Sequence, residues 1–194
     1  QFLMELSEKI NCIFIKGNHD SWCENWLEKG EVDATWYMHG GKETLDSYEN
    51  AIDIDKKKHL DFFRNMSMYH IDNENRLFIH AGFTSMHGVQ KEVYENTFYF
   101  DRTLWEMALT LNEKIKSDSI LYPNRLKHYK EIYIGHTPTT RYNFIKPMQA
   151  ANIWNVDTGA AFKGKLSAID VDTKAVFQSD FVYTLYPKEV GRNK

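Results

Sequence analysis

Three histidines occupy the same kind of position in this chain: His19 in "IFIKGNHD", His80 in "RLFIHAG" and His136 in "IYIGHTP". Each follows an apolar run of β-strand composition and has a glycine within two residues. Function gathers where strands end and loops begin. Glycine at such an end lets the backbone approach an ion or a phosphate closely. Imidazole nitrogens, with the amide of Asn18 and the carboxylate of Asp20 beside His19, form a donor set that suits Mn, Fe or Zn. The competing reading is that these side chains cap strands by hydrogen-bonding loop backbone. For one histidine alone the two readings balance; three in one chain favour ligands. His59, His70, His87 and His128 lie in polar stretches and read as surface or hydrogen-bonded core residues.

The elements that must carry these positions can be read from periodicity. "QFLMELSEKI" has helical spacing at Phe2, Leu3, Leu6 and Ile10. A strand over "CIFIK" ends at Gly17, and "SWCENWLEK" reads as a helix capped by Ser21. "KETLDSYENA" and "KKKHLDFFRNM" are further helices, and "MYHIDNENRLFIHAG" is a hairpin turning at "DNEN". "RTLWEMALTLNEKIKS" carries the longest helical pattern, with Leu104, Ala108, Leu111 and Ile115 on one face. "EIYIGHTP" and "IWNVDTG" supply short strands, and "KLSAIDVDTKAVFQSDF" a strand pair joined around Asp172 and Thr173. Early alternation of helix and strand followed by strand dominance predicts a layered α/β domain with two mixed β-sheets flanked by helices.

The chain has 194 residues, which fits one domain over 1–194, with a helical cap or rim over 36–66. Apolar residues at 42% and charged residues at 26% are those of an ordinary globular chain. A net charge of −3 gives no sign of a nucleic-acid or membrane surface. No apolar run reaches the roughly 18 residues of a membrane helix. Two cysteines, Cys12 and Cys23, make no disulfide framework, so a cytoplasmic location is expected. No base adjoins Cys23, which reads as a structural thiol.

"GNHD", "HAG" and "GHTP", in that order, resemble the calcineurin-like metallophosphoesterases. The resemblance is to the branch holding the serine/threonine protein phosphatases and the bacterial symmetrical dinucleoside-tetraphosphatases. "HGGKETLDSY" resembles a "GG-x-x-T-L-x-S-Y" segment of the bacterial members, with His39 where asparagine is usual, and "DTGAAFKGKLSAID" resembles their closing strand segment. The likeness covers nearly the whole chain. It implies two divalent ions about 3.5–4 Å apart, bridged by an aspartate and a hydroxide. It implies Asn18, His80 and His136 as ligands of the second metal and His19 as the acid that protonates the leaving oxygen. Pro138, where many other metallophosphoesterases carry a further histidine, agrees with the protein-phosphatase branch.

Two features depart from the family. Its opening "GD-x-H-G" and "GD-x-x-D-R-G" segments are not in the sequence. They carry the first metal's ligands, the bridging aspartate and a phosphate-binding arginine. The opening helix, starting at Gln1 without a cap, reads as the cut end of a longer chain. The parent protein is expected to have roughly 50 further N-terminal residues, enough for a strand–helix–strand unit. The 194 residues alone are expected to hold at most one metal, weakly, and to turn over little or nothing. The second departure is Met107 in "TLWEM", where many bacterial relatives have an arginine that helps bind phosphate. Arg102 is the nearest candidate for that task and Arg141 a weaker one. Asp157 in "NVDTG" reads as a loop brace rather than a ligand.

The resemblance implies a metal-dependent phosphatase acting on phosphoproteins or small phosphoesters through a metal-activated hydroxide. One alternative is a dinucleoside-polyphosphate hydrolase. Another is a non-catalytic binding protein that kept the fold.

Overall fold

The computed structural model describes residues 1–51 and 54–187. They divide into two compact units, Gln1–Met68 and Tyr69–Lys194.

The first unit is mainly helical. Helix α1 (Phe2–Ser7) keeps Phe2 and Leu3 exposed. The strand expected over 12–16 is reduced to one parallel bridge between Ile15 and Ser67. It is flanked by bonds from Lys16 N–H to Ser67 O (2.8 Å) and from Ser67 N–H to Phe14 O (2.9 Å). A ladder needs a run of extended partners, and between these two segments the unit's described residues are mostly helix. Helix α2 (Asn18–Lys29) starts three residues before the Ser21 expected to cap it. Gly17 is the cap, and the Ser21 N–H already makes a helical bond to Gly17 O at 3.0 Å. Asp20 reaches back to accept the Gly17 N–H at 2.8 Å, so "GNHD" is a helix start rather than a loop.

Short α3 (Ala34–Trp36) runs into a kink at His39 and Gly40 before α4 (Lys42–Asn50). Trp36 is fully buried. A Cβ on Gly41 would lie 2.7 Å from Trp36 Cδ2, so only glycine lets the chain pass the indole there. Helix α5 (Lys56–Arg64) is capped by Asp55, which accepts the Lys58 N–H at 3.0 Å. Ile52 and Asp53, within the expected 36–66 cap, lie outside the described residues, as do 188–194.

Cys23 of α2, Tyr48 of α4 and His59 of α5 form one polar contact line inside this unit. Tyr48 Oη lies 2.7 Å from His59 Nδ1, and Tyr48 stands near enough to the Cys23 thiol to act on it electrostatically. Burial, with the charge of Asp20 beside it, pushes the thiol up to about 12 from its usual 9.0. The folded thiol holds its proton more tightly than the free one. Stability from this source is therefore complete below pH 9 and lost as pH rises toward 12. At pH 8 only about one thiol in 10⁴ is the reactive thiolate. Iodoacetamide should therefore label Cys12, half-buried, and leave Cys23 unlabelled until denaturant is added. Equal labelling of the two peptides from native protein would refute this.

The second unit is built on a five-stranded sheet. Strands β1 (Tyr69–Ile71) and β2 (Arg76–Ile79) form the expected hairpin. Asp72 Oδ1 accepts the Glu74 and Arg76 N–H groups at 2.9 Å, which closes its turn. Helices α6 (Glu95–Phe100), α7 (Thr103–Thr110) and α8 (Asn124–Lys127) follow. The chain then returns as β3 (Glu131–Ile134), parallel to β2. Strands β4 (Met148–Ala150) and β5 (Ile153–Asn155) complete the order β1-β2-β3-β5-β4, with β5 parallel to β3. Parallel strands are apolar on both faces. Leu77, Ile132 and Ile153 are accordingly fully buried, with Leu104 and Trp105 of α7 in the same core. Strands β6 (Lys165–Ile169) and β7 (Val176–Phe181) form an antiparallel second sheet, followed by α9 (Val182–Leu185). The layered α/β fold with two sheets flanked by helices is thus present; only the first sheet is mixed.

The helix expected from 102 to 117 stops at Thr110. Asn112 Oδ1 takes the Lys114 N–H at 2.9 Å and Asn112 O takes the Ile115 N–H, which turns the chain away from helix. The β6–β7 turn is tied to the first sheet by charge. Lys174 donates to Glu131 (2.6 Å) and to the Tyr133 hydroxyl (2.7 Å), and Arg76 bridges Asp72 and Asp172. Burial raises the Glu131 carboxyl, but bonds from Lys174 and Tyr133 outweigh it and hold the group below its usual range. No described helix is long and apolar enough to cross a membrane.

Candidate functional site

The register of the parallel strands brings two of the singled-out histidines together. Phe78 pairs with Tyr133, so the residues after β2 and β3 leave the sheet side by side. The Gly135 N–H then donates to His80 O at 2.8 Å, which extends the ladder one step beyond the strands. His136 follows in a three-residue turn closed by the Thr137 N–H on Gly135 O at 2.7 Å. Its φ is +66°, a left-handed conformation that costs a non-glycine residue roughly 1–2 kcal/mol. Strain of this kind collects at functional positions. Here it accompanies an imidazole turned toward its neighbour: His136 Nδ1 lies 3.1 Å from His80 Nε2. The two rings meet edge-on with centroids 5.0 Å apart, and Phe100 stands perpendicular to His136 at 6.1 Å.

That spacing can be tested against metal chemistry. Two nitrogens about 2.1 Å from one ion, in a tetrahedral or octahedral shell, lie about 2.9–3.4 Å apart. The observed 3.1 Å falls inside this interval. The pair therefore fits two neighbouring ligands of one cation. It equally accommodates one shared proton, with one nitrogen donating and the other accepting. Among the described residues, no group of three or more His, Cys, Asp or Glu side chains gathers to hold a metal by itself.

In the first unit, Asn18 and His19 are the first two residues of α2, and the His19 ring meets Trp22 edge-on at 5.3 Å. Asp20 is committed to the Gly17 N–H. Burial raises its carboxyl, while that hydrogen bond and the charge of Lys16 act in the opposite sense. Lys16 is buried, and its ammonium pairs with Glu24 at 2.6 Å, which ties the start of "GNHD" to the second turn of α2.

Arg102 is exposed at the start of α7, and its guanidinium makes no hydrogen bond or ion pair with a described residue. Arg141 is exposed on the short 3-10 turn Thr139–Tyr142. Asp157 braces its loop as expected: its Oδ1 accepts the Gly159 N–H at 2.9 Å, and its carbonyl accepts the Thr139 N–H at 2.8 Å.

Two residues that the sequence did not single out hold the segment that follows His80. Asp101, almost wholly buried, accepts the Leu104 and Thr103 N–H groups at 3.0 Å. A Cβ on Gly82 would collide with its Oδ2, which is why "HAG" needs its glycine. Arg125 of α8 lies against Met107, with Nη2 at 3.5 Å from Sδ. The Asp-x-Thr spacing before α7 is a capping signal that could have exposed Asp101. Nothing local in "PNRLK" points to Arg125.

A family model described as calcineurin-like phosphoesterase matches residues 1–161. The asymmetrical bis(5'-nucleosyl)-tetraphosphatase PrpE of Bacillus mycoides (strain KBAB4) is 30% identical over 141 residues, covering 68% of this chain and 52% of the relative. The protein of the same name from Bacillus cereus (strain Q1) matches to the same extent. The chain thus spans about half the length of the curated relatives it matches. A crystal structure provisionally described as a diadenosine tetraphosphatase superposes with a TM-score of 0.53 at 14% identity, covering 92% of this chain and 72% of that one. At that identity the likeness speaks for the fold alone.

Proposed function

We propose, since the chain belongs to the calcineurin-like phosphoesterase family, that the whole protein is a metal-dependent phosphatase that hydrolyses phosphomonoesters of proteins or small molecules. The observation that carries this reading is the 3.1 Å approach of His80 Nε2 to His136 Nδ1 at the ends of two parallel strands. Those imidazoles, with the amide oxygen of Asn18, act as ligands, and Mn, Fe or Zn suits the set. Two divalent ions, when bound, supply an activated water and positive charge for the phosphoryl oxygens. His19 gives the leaving oxygen its proton, Arg102 binds phosphoryl oxygens, and the 36–66 segment forms a rim that selects substrate. Residues 1–194 form part of one catalytic domain in this reading. The location is cytoplasmic, in keeping with two free cysteines.

A second reading, a dinucleoside-polyphosphate hydrolase, is favoured by the names of the Bacillus relatives. One assay separates the two. The full-length protein with manganese is given p-nitrophenyl phosphate, a phosphopeptide and diadenosine tetraphosphate. Turnover of the two monoesters, abolished by a chelator, is the expected result. Turnover of the dinucleotide alone supports the second reading. No turnover of any substrate with Mn, Fe or Zn defeats both.

A further inference from the structure

We infer that Arg125 is a positioning residue for His80, acting through the loop His80–Phe83 in the site proposed above, on which this inference rests. Its Nη1 donates to Phe83 O at 2.9 Å and to Thr103 Oγ1 at 3.0 Å, which uses both hydrogens of that nitrogen. Its Nη2 rests against Met107 Sδ. One guanidinium therefore joins three segments: the loop after β2, the first turn of α7 and α8.

The same loop is fixed at each of its other residues. His80 O accepts from Gly135 N–H, and Ala81 N–H donates to Phe98 O at 3.0 Å. Gly82 lies directly over Asp101 Oδ2. At Phe83, three residues after His80, the contact at the carbonyl comes from the guanidinium.

Charge explains why an arginine stands there. The Asp101 side chain is 4% exposed and its Oδ2 lies 4.0 Å from Arg125 Nη1, whose side chain is 15% exposed. Removing the guanidinium would leave a buried carboxylate without its nearest cation and the Phe83 carbonyl without this donor. The relief open to the molecule is movement of the loop, and the loop carries His80. Arg125 meets the loop at the Phe83 carbonyl, three residues from His80, so its influence on the imidazole passes through backbone. A lysine would keep the charge but not the planar fork that serves two acceptors at once.

The test uses the full-length protein. Manganese affinity is measured by calorimetry, kcat and KM on p-nitrophenyl phosphate, and Tm by calorimetric scan, for wild type, Arg125→Ala and Arg125→Lys. Arg125→Ala is expected to weaken manganese binding about 10–100-fold, the usual loss for an outer partner of a ligand, and to lower kcat with KM within about two-fold. Millimolar methylguanidinium should restore much of the affinity, which a general loss of packing would not allow. Arg125→Lys is expected to fold with wild-type stability and show a smaller loss in the same direction; it decides the matter if Arg125→Ala does not fold. Wild-type affinity in either folded variant overturns the inference, as does a loss that methylguanidinium leaves untouched. Those outcomes leave the proposed function standing. A wild-type protein that binds no divalent metal sinks that function and this inference together.

Discussion

Replacing His136 with alanine is expected to abolish tight manganese binding, and replacing it with glycine is expected to do the same while leaving the fold at least as stable. The first half follows from the proposed ligand role. His136 Nδ1 and His80 Nε2 stand at the spacing of neighbouring ligands, and loss of a direct ligand should cost more than the roughly 10–100-fold lost with an outer partner. The second half follows from the backbone. At φ +66°, alanine keeps the strain of the left-handed conformation and glycine removes it. The gain is offset in part by glycine's larger freedom when unfolded, about 0.4–1 kcal/mol. His136→Gly should therefore match or exceed the wild-type Tm without metal, and His136→Ala should fall below His136→Gly. His80→Ala, at an ordinary backbone position, should lose metal with no such split between alanine and glycine. Calorimetric titration with manganese and a thermal scan of each variant read both effects. A His136→Ala protein that binds manganese like wild type removes the metal assignment.

The parts of this site that the sequence exposes are those encoded within a few residues. Apolar run, glycine and histidine in one short segment mark a strand end with a polar tip, and this holds for both His80 and His136. Their meeting is set by something longer in range. It depends on β2 and β3 being parallel neighbours with Phe78 opposite Tyr133, across a connection that holds three α-helices and a 3-10 turn. No local pattern states that register. The likeness of "HAG" and "GHTP" to family motifs stood in for it.

Where local reading failed, a side chain had taken over a backbone bond. Ser21 looked like a cap because hydroxyls favour caps, yet Gly17 had the free amide that Asp20 could satisfy from three residues on. Helical periodicity continued through Leu111 and Ile115, yet the Asn112 amide captured the Lys114 N–H and ended the helix early. Arg125 was hidden for a different reason. Its partners, Phe83 O and Thr103 Oγ1, are 42 and 22 residues away in sequence, so only the folded chain shows what the guanidinium does.

The second large effect concerns His19, where the substituted side chain and the choice of substrate must be considered together. If His19 protonates the leaving oxygen, its value depends on how badly that oxygen needs a proton. An alkoxide is a very poor leaving group, while p-nitrophenolate departs readily near neutral pH. General acid catalysis of this kind contributes about 10²–10⁴-fold. His19→Asn should therefore lower kcat on an alkyl phosphate by about that factor and on p-nitrophenyl phosphate by less than about ten-fold. Asparagine is chosen because the helix start does not rest on the imidazole. Gly17 caps α2 and Asp20 fastens the Gly17 N–H whichever residue stands at position 19. The ring contact with Trp22 at 5.3 Å is lost in the variant, so Tm and manganese affinity are measured alongside the rates. Across a series of leaving groups, the plot of log kcat against leaving-group pKa should be shallow for wild type and steep for the variant. Parallel plots, with equal losses on alkyl and aryl esters, would show that His19 supports the site in another way and moves no proton to the leaving oxygen.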